Sequence, residues 1–193
     1  MPPKFKFTKD EITKAALDLT REKGISGLTA RALAAKLGCS VKPIFGLFQN
    51  MEEVSLAVLT EAEKVYYSYL ENEMAADKYP AYKASGMGYI RFAKEETELF
   101  KLLFMRDRSL ENTEENREAV KPLVELIKNN TGLSDDDAYM FHIEMWIYVH
   151  GIATMIATSY LDWDMEFVSR TLSDGYFGLK HRYLERGNEN GSN

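Results

Sequence analysis

Cysteine is almost missing from this chain: Cys39 is the only one in 193 residues. One thiol closes no intramolecular disulfide and builds no cysteine-based zinc cluster, so a fold resting on a hydrophobic core in a reducing compartment is expected. Proline is also sparse, at five residues, which leaves long stretches free of the residue that most often breaks helices. The opening Met-Pro-Pro-Lys-Phe-Lys-Phe lacks the apolar stretch and small-residue cleavage site of a secretory signal, and a cytoplasmic location is the expectation. Long uncharged runs are few. Residues 145–161 approach the length of a membrane span, but His150, Gly151 and several hydroxyl residues interrupt them. They read as a core helix or an oligomer interface, and no membrane association is expected. Alternation of apolar and polar residues with period two is absent as well, which argues against sheet.

What is present is a globular composition, 45% hydrophobic and 28% charged, with helical periodicity nearly throughout. An all-α fold of about nine helices is expected. Charge is unevenly distributed. Residues 1–50 hold nine Lys and Arg against four acids, a surplus of five, so with a net charge of −6 the rest of the chain carries −11. A basic N-terminal part on an acidic body is the electrostatic pattern of a nucleic-acid module attached to a part with another task.

Local signals place the helices. Thr8 with Glu11 forms a capping box ahead of the stripe Ile12, Ala15, Ala16 and Leu19, and Gly24 stops that helix. Thr29 caps a short second helix ending at Gly38, Ser40 is expected to cap a third, and Asn50 with Glu53 opens a long fourth. Further helices are expected at about 80–95, 97–105 and 114–130, with Pro122 bending or splitting the last. A polar loop is expected around 106–112. Ser134 with Asp137 caps a helix running to about Tyr160, and Asp164 caps a final one ending near Glu185.

Residues 28–48 pack two short helices around a glycine-containing turn, the sequence form of a helix-turn-helix. In that arrangement the first helix lies across the DNA backbone and the second enters the major groove. Thr29 and Arg31 stand at the start of the first, and Ser40, Val41 and Lys42 at the start of the second. The order Gly27-Leu28-Thr29, Arg31-Ala32-Leu33-Ala34, Leu37-Gly38 and Ile44-Phe45-x-x-Phe48, followed by Glu52-Glu53, resembles the TetR family of transcriptional regulators. Trp146-x-x-x-His150-Gly151 resembles the Trp-His-Gly signature of one C-terminal domain type in that family.

The resemblance implies a DNA-binding domain at 1–50 and a ligand-binding and dimerisation domain at 51–193. It further implies a homodimer through the last two helices, a palindromic double-stranded DNA operator, and release by a small-molecule effector. This chain departs from the family pattern where Tyr, Tyr and His commonly precede the last aromatic of helix three: it has Phe45, Gly46 and Leu47. Met51 stands where a Lys commonly opens helix four. With those phosphate-bonding groups missing, Arg31 and Lys42 carry more of the contact, Thr29, Ser40 and Gln49 assist, and Val41 and Leu47 offer apolar contact to thymine methyls. Phe45 completes the expected DNA-binding set.

For the effector, Phe92, Phe100, Phe104, Met105, Phe141, Met145, Trp146 and His150 supply a polarizable apolar inventory with few polar anchors. His142, Trp146 and His150 share one helix face, but the two histidines lie about 12 Å apart along the axis, too far to hold one metal unaided. Each is instead expected to bond a neighbouring carbonyl or anchor a ligand. No metal site, catalytic residue or resident cofactor is expected. The reading from another class is a small-molecule-binding or enzymatic helical bundle whose DNA-binding head does not function.

Overall fold

The computed structural model describes residues 7–107, 109 and 113–190. Among the described residues there are nine α-helices and no strand, as the periodicity requires. They are α1 Lys9–Lys23, α2 Ala30–Lys36, α3 Lys42–Phe45, α4 Met51–Ala75, α5 Ala81–Glu95, α6 Thr97–Phe104, α7 Thr113–Thr131, α8 Asp135–Ala157 and α9 Met165–Asn190. One 3-10 turn, Ile25–Gly27, follows α1.

Most capping signals act as expected. Thr8 and Glu11 form the full reciprocal box, the Thr29 hydroxyl accepts from the Ala32 N–H, Ser134 accepts from Asp137, and Asp164 accepts from the Phe167 N–H at 2.7 Å. Ser40 does not cap α3, whose N-cap is Val41 in helical backbone geometry with no side-chain cap bond. The reason lies in Pro43: counted from Ser40 it is the third helical residue, and it has no N–H to offer the serine hydroxyl. Asn50 does accept from the Glu53 N–H at 2.9 Å, but Glu53 reaches back to the Gln49 N–H rather than to that of Asn50.

Pro122 does not split α7, because one missing N–H is tolerated where Val124 and Ile127 anchor the next turn in the core. Two boundaries differ from expectation. The α8 helix stops at Ala157, where Thr158 caps it and Ser159 takes a positive φ of 55°. The α9 helix continues beyond Glu185 to Asn190. The loop expected at 106–112 lies largely outside the described residues, as do 191–193 of the tail.

The chain forms two compact units. The first takes the residues up to Ser68 together with Glu95–Arg106, and the second takes Tyr69–Lys94 with the residues from Asp107 onward. The sequence division after residue 50 falls at the start of α4, within the first unit. In that unit Ile12, Leu33, Ile44, Val54, Val58, Leu99 and Phe100 are fully buried, so α6 contributes to the same core as α1 to α4. Arg21 on α1 grips Glu96, which caps α6, with two parallel bonds of 2.8 and 2.9 Å, and Asp18 adds a third contact at 3.2 Å. This fork geometry matches guanidinium to carboxylate, and the Glu96 side chain is largely buried.

The second unit is built on α5, α7, α8, α9 and the last turns of α4. Gly88 on α5 lets the two helices meet: a Cβ there would stand 2.9 Å from the Tyr69 carbonyl oxygen. Phe141 sits at the centre of a cluster of Val124, Ile127, Ala138, Met145 and Tyr183. Glu73, itself buried, is neutralised by the Arg91 guanidinium.

Arg21→Ala strips Glu96 of its fork, and a stability loss of about 1 kcal/mol, or roughly 2–4 °C in Tm, is expected. Combining it with Glu96→Ala should cost little more than either change alone in urea titrations. Strictly additive losses would show that the pair contributes nothing as a pair.

Candidate nucleic-acid interface and regulatory core

The helix-turn-helix is shaped by backbone chemistry at its turn. Gly38 takes φ +63°, the left-handed conformation that an L side chain resists, and so lets the chain leave α2 and re-enter α3 within a few residues. The Ile44 and Phe48 side chains point inward and are buried, which leaves the opposite side of α3 outward. The turn after α3 is held by Glu53, which accepts from the Gln49 N–H at 2.6 Å and from Lys9 at 2.7 Å. Those bonds, the backbone one foremost, hold the Glu53 carboxyl below the usual carboxylate range. Lys9 also lies over the Phe48 ring, 4.9 Å from its centre, and so ties α1 to the end of α3.

Internal pairing separates the basic residues of this unit into two groups. Lys9 is held by Glu53, Arg21 by Glu96 and Asp18, and Lys36 by Glu22 at 2.7 Å. Lys14, Lys23, Arg31 and Lys42 have no carboxylate partner among the described residues. Arg31 and Lys42, named from the sequence, are thus exposed cations free to meet an anion. Thr29, Ser40, Val41, Phe45 and Gln49 are exposed as well, and Leu47 is half-buried. The Thr29 hydroxyl serves its own helix as N-cap acceptor, and the Gln49 N–H is engaged by Glu53, leaving the Gln49 side chain outward.

The eight residues expected around an effector fall into both units. Phe100, Phe104 and Met105 belong to the first: Phe100 is buried with its ring 5.4 Å from that of Phe104, Phe104 meets Tyr66 edge-on at 5.1 Å, and Met105 is exposed. The other five belong to the second. Phe92 is buried against the edge of Tyr69 at 5.6 Å, and Phe141 and Met145 fill the central cluster. Trp146 is exposed and stacks on the half-buried His150, with ring centres 5.1 Å apart and planes 17° from parallel.

Each histidine of α8 meets a tyrosine of α5. The Tyr82 hydroxyl lies 3.1 Å from His142 Nδ1, and the Tyr89 hydroxyl lies 2.8 Å from His150 Nδ1. Burial holds His142 neutral, pulling it down to about 4, and pushes the Tyr82 hydroxyl well above its ordinary value. Tyr82 also borders Tyr176, which in turn meets Phe141 edge-on. Sequence reading missed the tyrosines. The signal was a matched spacing: Tyr82 and Tyr89 are two turns apart on α5, as His142 and His150 are on α8. Among the described residues no group of three or more His, Cys, Asp or Glu could hold a metal, and no helix is long and apolar enough to cross a membrane.

A three-helix head carrying a glycine-turned helix-turn-helix, followed by a larger helical part with a polar-aromatic interior, defines the class of helix-turn-helix DNA-binding regulators. Family models bear this out. Residues 12–58 match the bacterial regulatory proteins of the tetR family, and residues 82–174 match the tetracyclin repressor-like C-terminal domain. The chain belongs to the TetR family of transcriptional regulators, and accordingly it is a regulator and not an enzyme.

Solved structures share the fold. A TetR-like transcriptional regulator from Rhodococcus sp. RHA1 aligns over 96% of this chain and 99% of its own at 14% identity, with a TM-score of 0.64. A TetR-family member from Streptomyces coelicolor A3 aligns over 86% and 96% at 18% identity, with a TM-score of 0.58. The multidrug binding protein EbrR, complexed with imidazole, aligns over 86% and 93% at 16% identity, with a TM-score of 0.54. No functionally curated protein matches the sequence.

The depressed His142 value makes stability depend on pH. The unfolded chain takes up this proton near 6.5 and the folded one only near 4, so the contribution is complete above about 6.5 and is lost as pH falls towards 4. Between pH 7 and pH 5 the loss from this group is expected to be about 2 kcal/mol. His142→Gln should flatten that part of the profile in urea midpoints measured at both pH values. Equal slopes in the two proteins would mean that His142 is not held neutral.

Proposed function

We propose that the chain is a ligand-responsive repressor that binds a palindromic operator as a homodimer and is released by a small apolar or aromatic effector. Residues 1–50 serve as the DNA-reading head and 51–193 as the effector-binding and dimerising part, acting in the cytoplasm. The observation that carries the reading is the pair of unpartnered exposed cations, Arg31 at the start of α2 and Lys42 at the start of α3. Of the cations on the helix-turn-helix Lys36 is tied to Glu22, so Arg31 and Lys42 are the two left available to phosphate. Thr29, Ser40 and Gln49 flank them with polar groups.

The dimer reading is supported by apolar surface on the last two helices. Ile147 on α8 is 61% exposed and Phe177 on α9 is 64% exposed, and Met140, Tyr148, Met155 and Leu184 add to the same helices. Surface of this kind marks an interface far more often than a solvated face. The effector reading is supported by the aromatic and sulfur-bearing side chains Phe92, Phe141, Met145 and His150 of the second unit, with Trp146 stacked on the imidazole. EbrR, described as a multidrug binding protein, illustrates small-molecule binding on this fold.

Arg31→Ala and Lys42→Ala should each weaken operator binding about tenfold at moderate salt and lower the salt slope by about one, with the dimer intact. Unchanged affinity in both would refute the assignment. Ile147→Asp combined with Phe177→Asp is expected to yield monomers in sedimentation analysis, and a persistent dimer would place the interface elsewhere.

A further inference from the structure

The outward side of α3 is apolar where a DNA-reading helix usually carries hydrogen-bonding groups. Val41 and Phe45 are four residues apart and so lie on one face, 37% and 44% exposed respectively. Ile44 and Phe48, which face the other way, are 0% and 3% exposed. The core therefore has an aromatic and a branched side chain of its own, and Phe45 is not needed to fill it. Between residues 41 and 47 the only polar side chain is Lys42, and Gly46 beside Phe45 offers none. The exposed part of a phenyl ring gains nothing from water, and Phe45 keeps 44% of its surface exposed.

We infer that Val41 and Phe45 read the C5-methyl groups of pyrimidines in the major groove. The inference rests on the DNA-binding reading above and adds what the head recognises. The major-groove edge of a base pair presents donors, acceptors and one apolar feature, the C5-methyl of thymine. On an outward face of Val41, Lys42 and Phe45 only Lys42 can hydrogen-bond a base edge, by donating to guanine O6 and N7, and the other two side chains offer apolar contact alone. Such a face can seat a methyl group between a branched and an aromatic side chain, while Lys42 and Arg31 hold flanking phosphates. Two sources supply that methyl: thymine, and cytosine methylated at C5.

The test starts from duplexes selected by the full-length protein out of random DNA. Each thymine of the enriched site is replaced in turn by deoxyuridine, which removes only the methyl. In a parallel set, each cytosine is replaced by 5-methylcytosine, which adds it. One or two positions per half-site should lose about fourfold in affinity on demethylation, or gain a similar factor on cytosine methylation, the worth of one buried methyl. Phe45→Ser should bind more weakly and be indifferent to the methyl at those positions, whereas Phe45→Leu should retain the preference. Both changes lie on an exposed side chain, and circular dichroism checks that the fold is kept.

A loss confined to the uracil set identifies thymine as the source, and a gain confined to the other set identifies 5-methylcytosine. Tight binding that ignores both replacements, or a methyl preference that survives in Phe45→Ser, overturns the inference and leaves the DNA-binding reading intact. A folded protein that enriches no duplex overturns both.

Discussion

The pair of parallel hydrogen bonds from Arg21 to Glu96 joins residues 75 positions apart and ties α6 into the unit that carries the helix-turn-helix. Three short N-terminal helices bury too little apolar surface to be stable by themselves. The remedy here is α6, which brings Leu99 and Phe100 into the same core and is fastened at its N-cap, Glu96, by the guanidinium fork. A charge pair at that depth is favourable only when both partners are well bonded, and the parallel geometry with Asp18 alongside meets that condition. As a result the two units are interleaved in sequence. The chain crosses from one to the other within α4, at the end of α5 and after α6.

That arrangement also sorts the positive charge. A surplus of five in the first 50 residues suggests a broadly basic surface, yet Lys9, Arg21 and Lys36 are engaged in holding helices together. Their charges still contribute to the long-range field, but their side chains are not free to follow a phosphate. On the helix-turn-helix the lysines and arginines left without a carboxylate partner are Arg31 and Lys42, and Phe45, Gly46 and Leu47 add no polar side chain to them.

Much of this was readable from the sequence because much of it is local. An N-cap needs one side chain and an N–H two or three residues on, so Thr8, Thr29, Ser134 and Asp164 announce themselves. Ser40 failed by the same local rule, since the residue three positions on is Pro43. Gly38 was legible because a tight exit from α2 needs a positive φ. Pairings across helices were not legible. The contacts Tyr82 to His142, Tyr89 to His150 and Arg21 to Glu96 depend on how helices align side by side, and a single sequence gives spacing within a helix but not register between two. The exposure of Phe45 beside a buried Phe48 was also out of reach: both are aromatic, three residues apart, and only the direction of α3 against its core separates them.

The long apolar stretch of α8 shows how a sequence signal can be right in kind and still incomplete. Apolar residues on all sides of a helix imply that every side is covered. In this chain one side is covered from within: Phe141, Met145, Val149, Ile152 and Ile156 are buried, and His142 is drawn into the same interior by its tyrosine. On the other side Ile147 is 61% exposed and Tyr148 partly so, and Phe177 on α9 is as exposed as Ile147. A Cβ at Gly175 would stand 2.8 Å from the Tyr148 ring, so the absence of a side chain there lets α8 and α9 approach closely. A pair of packed helices that both carry exposed apolar side chains presents the same surface to every copy of itself, and a two-fold axis is the operation that lets such a surface cover its own twin. The same axis would set two copies of α3 in opposite senses, which is the symmetry that a palindromic site presents to a protein.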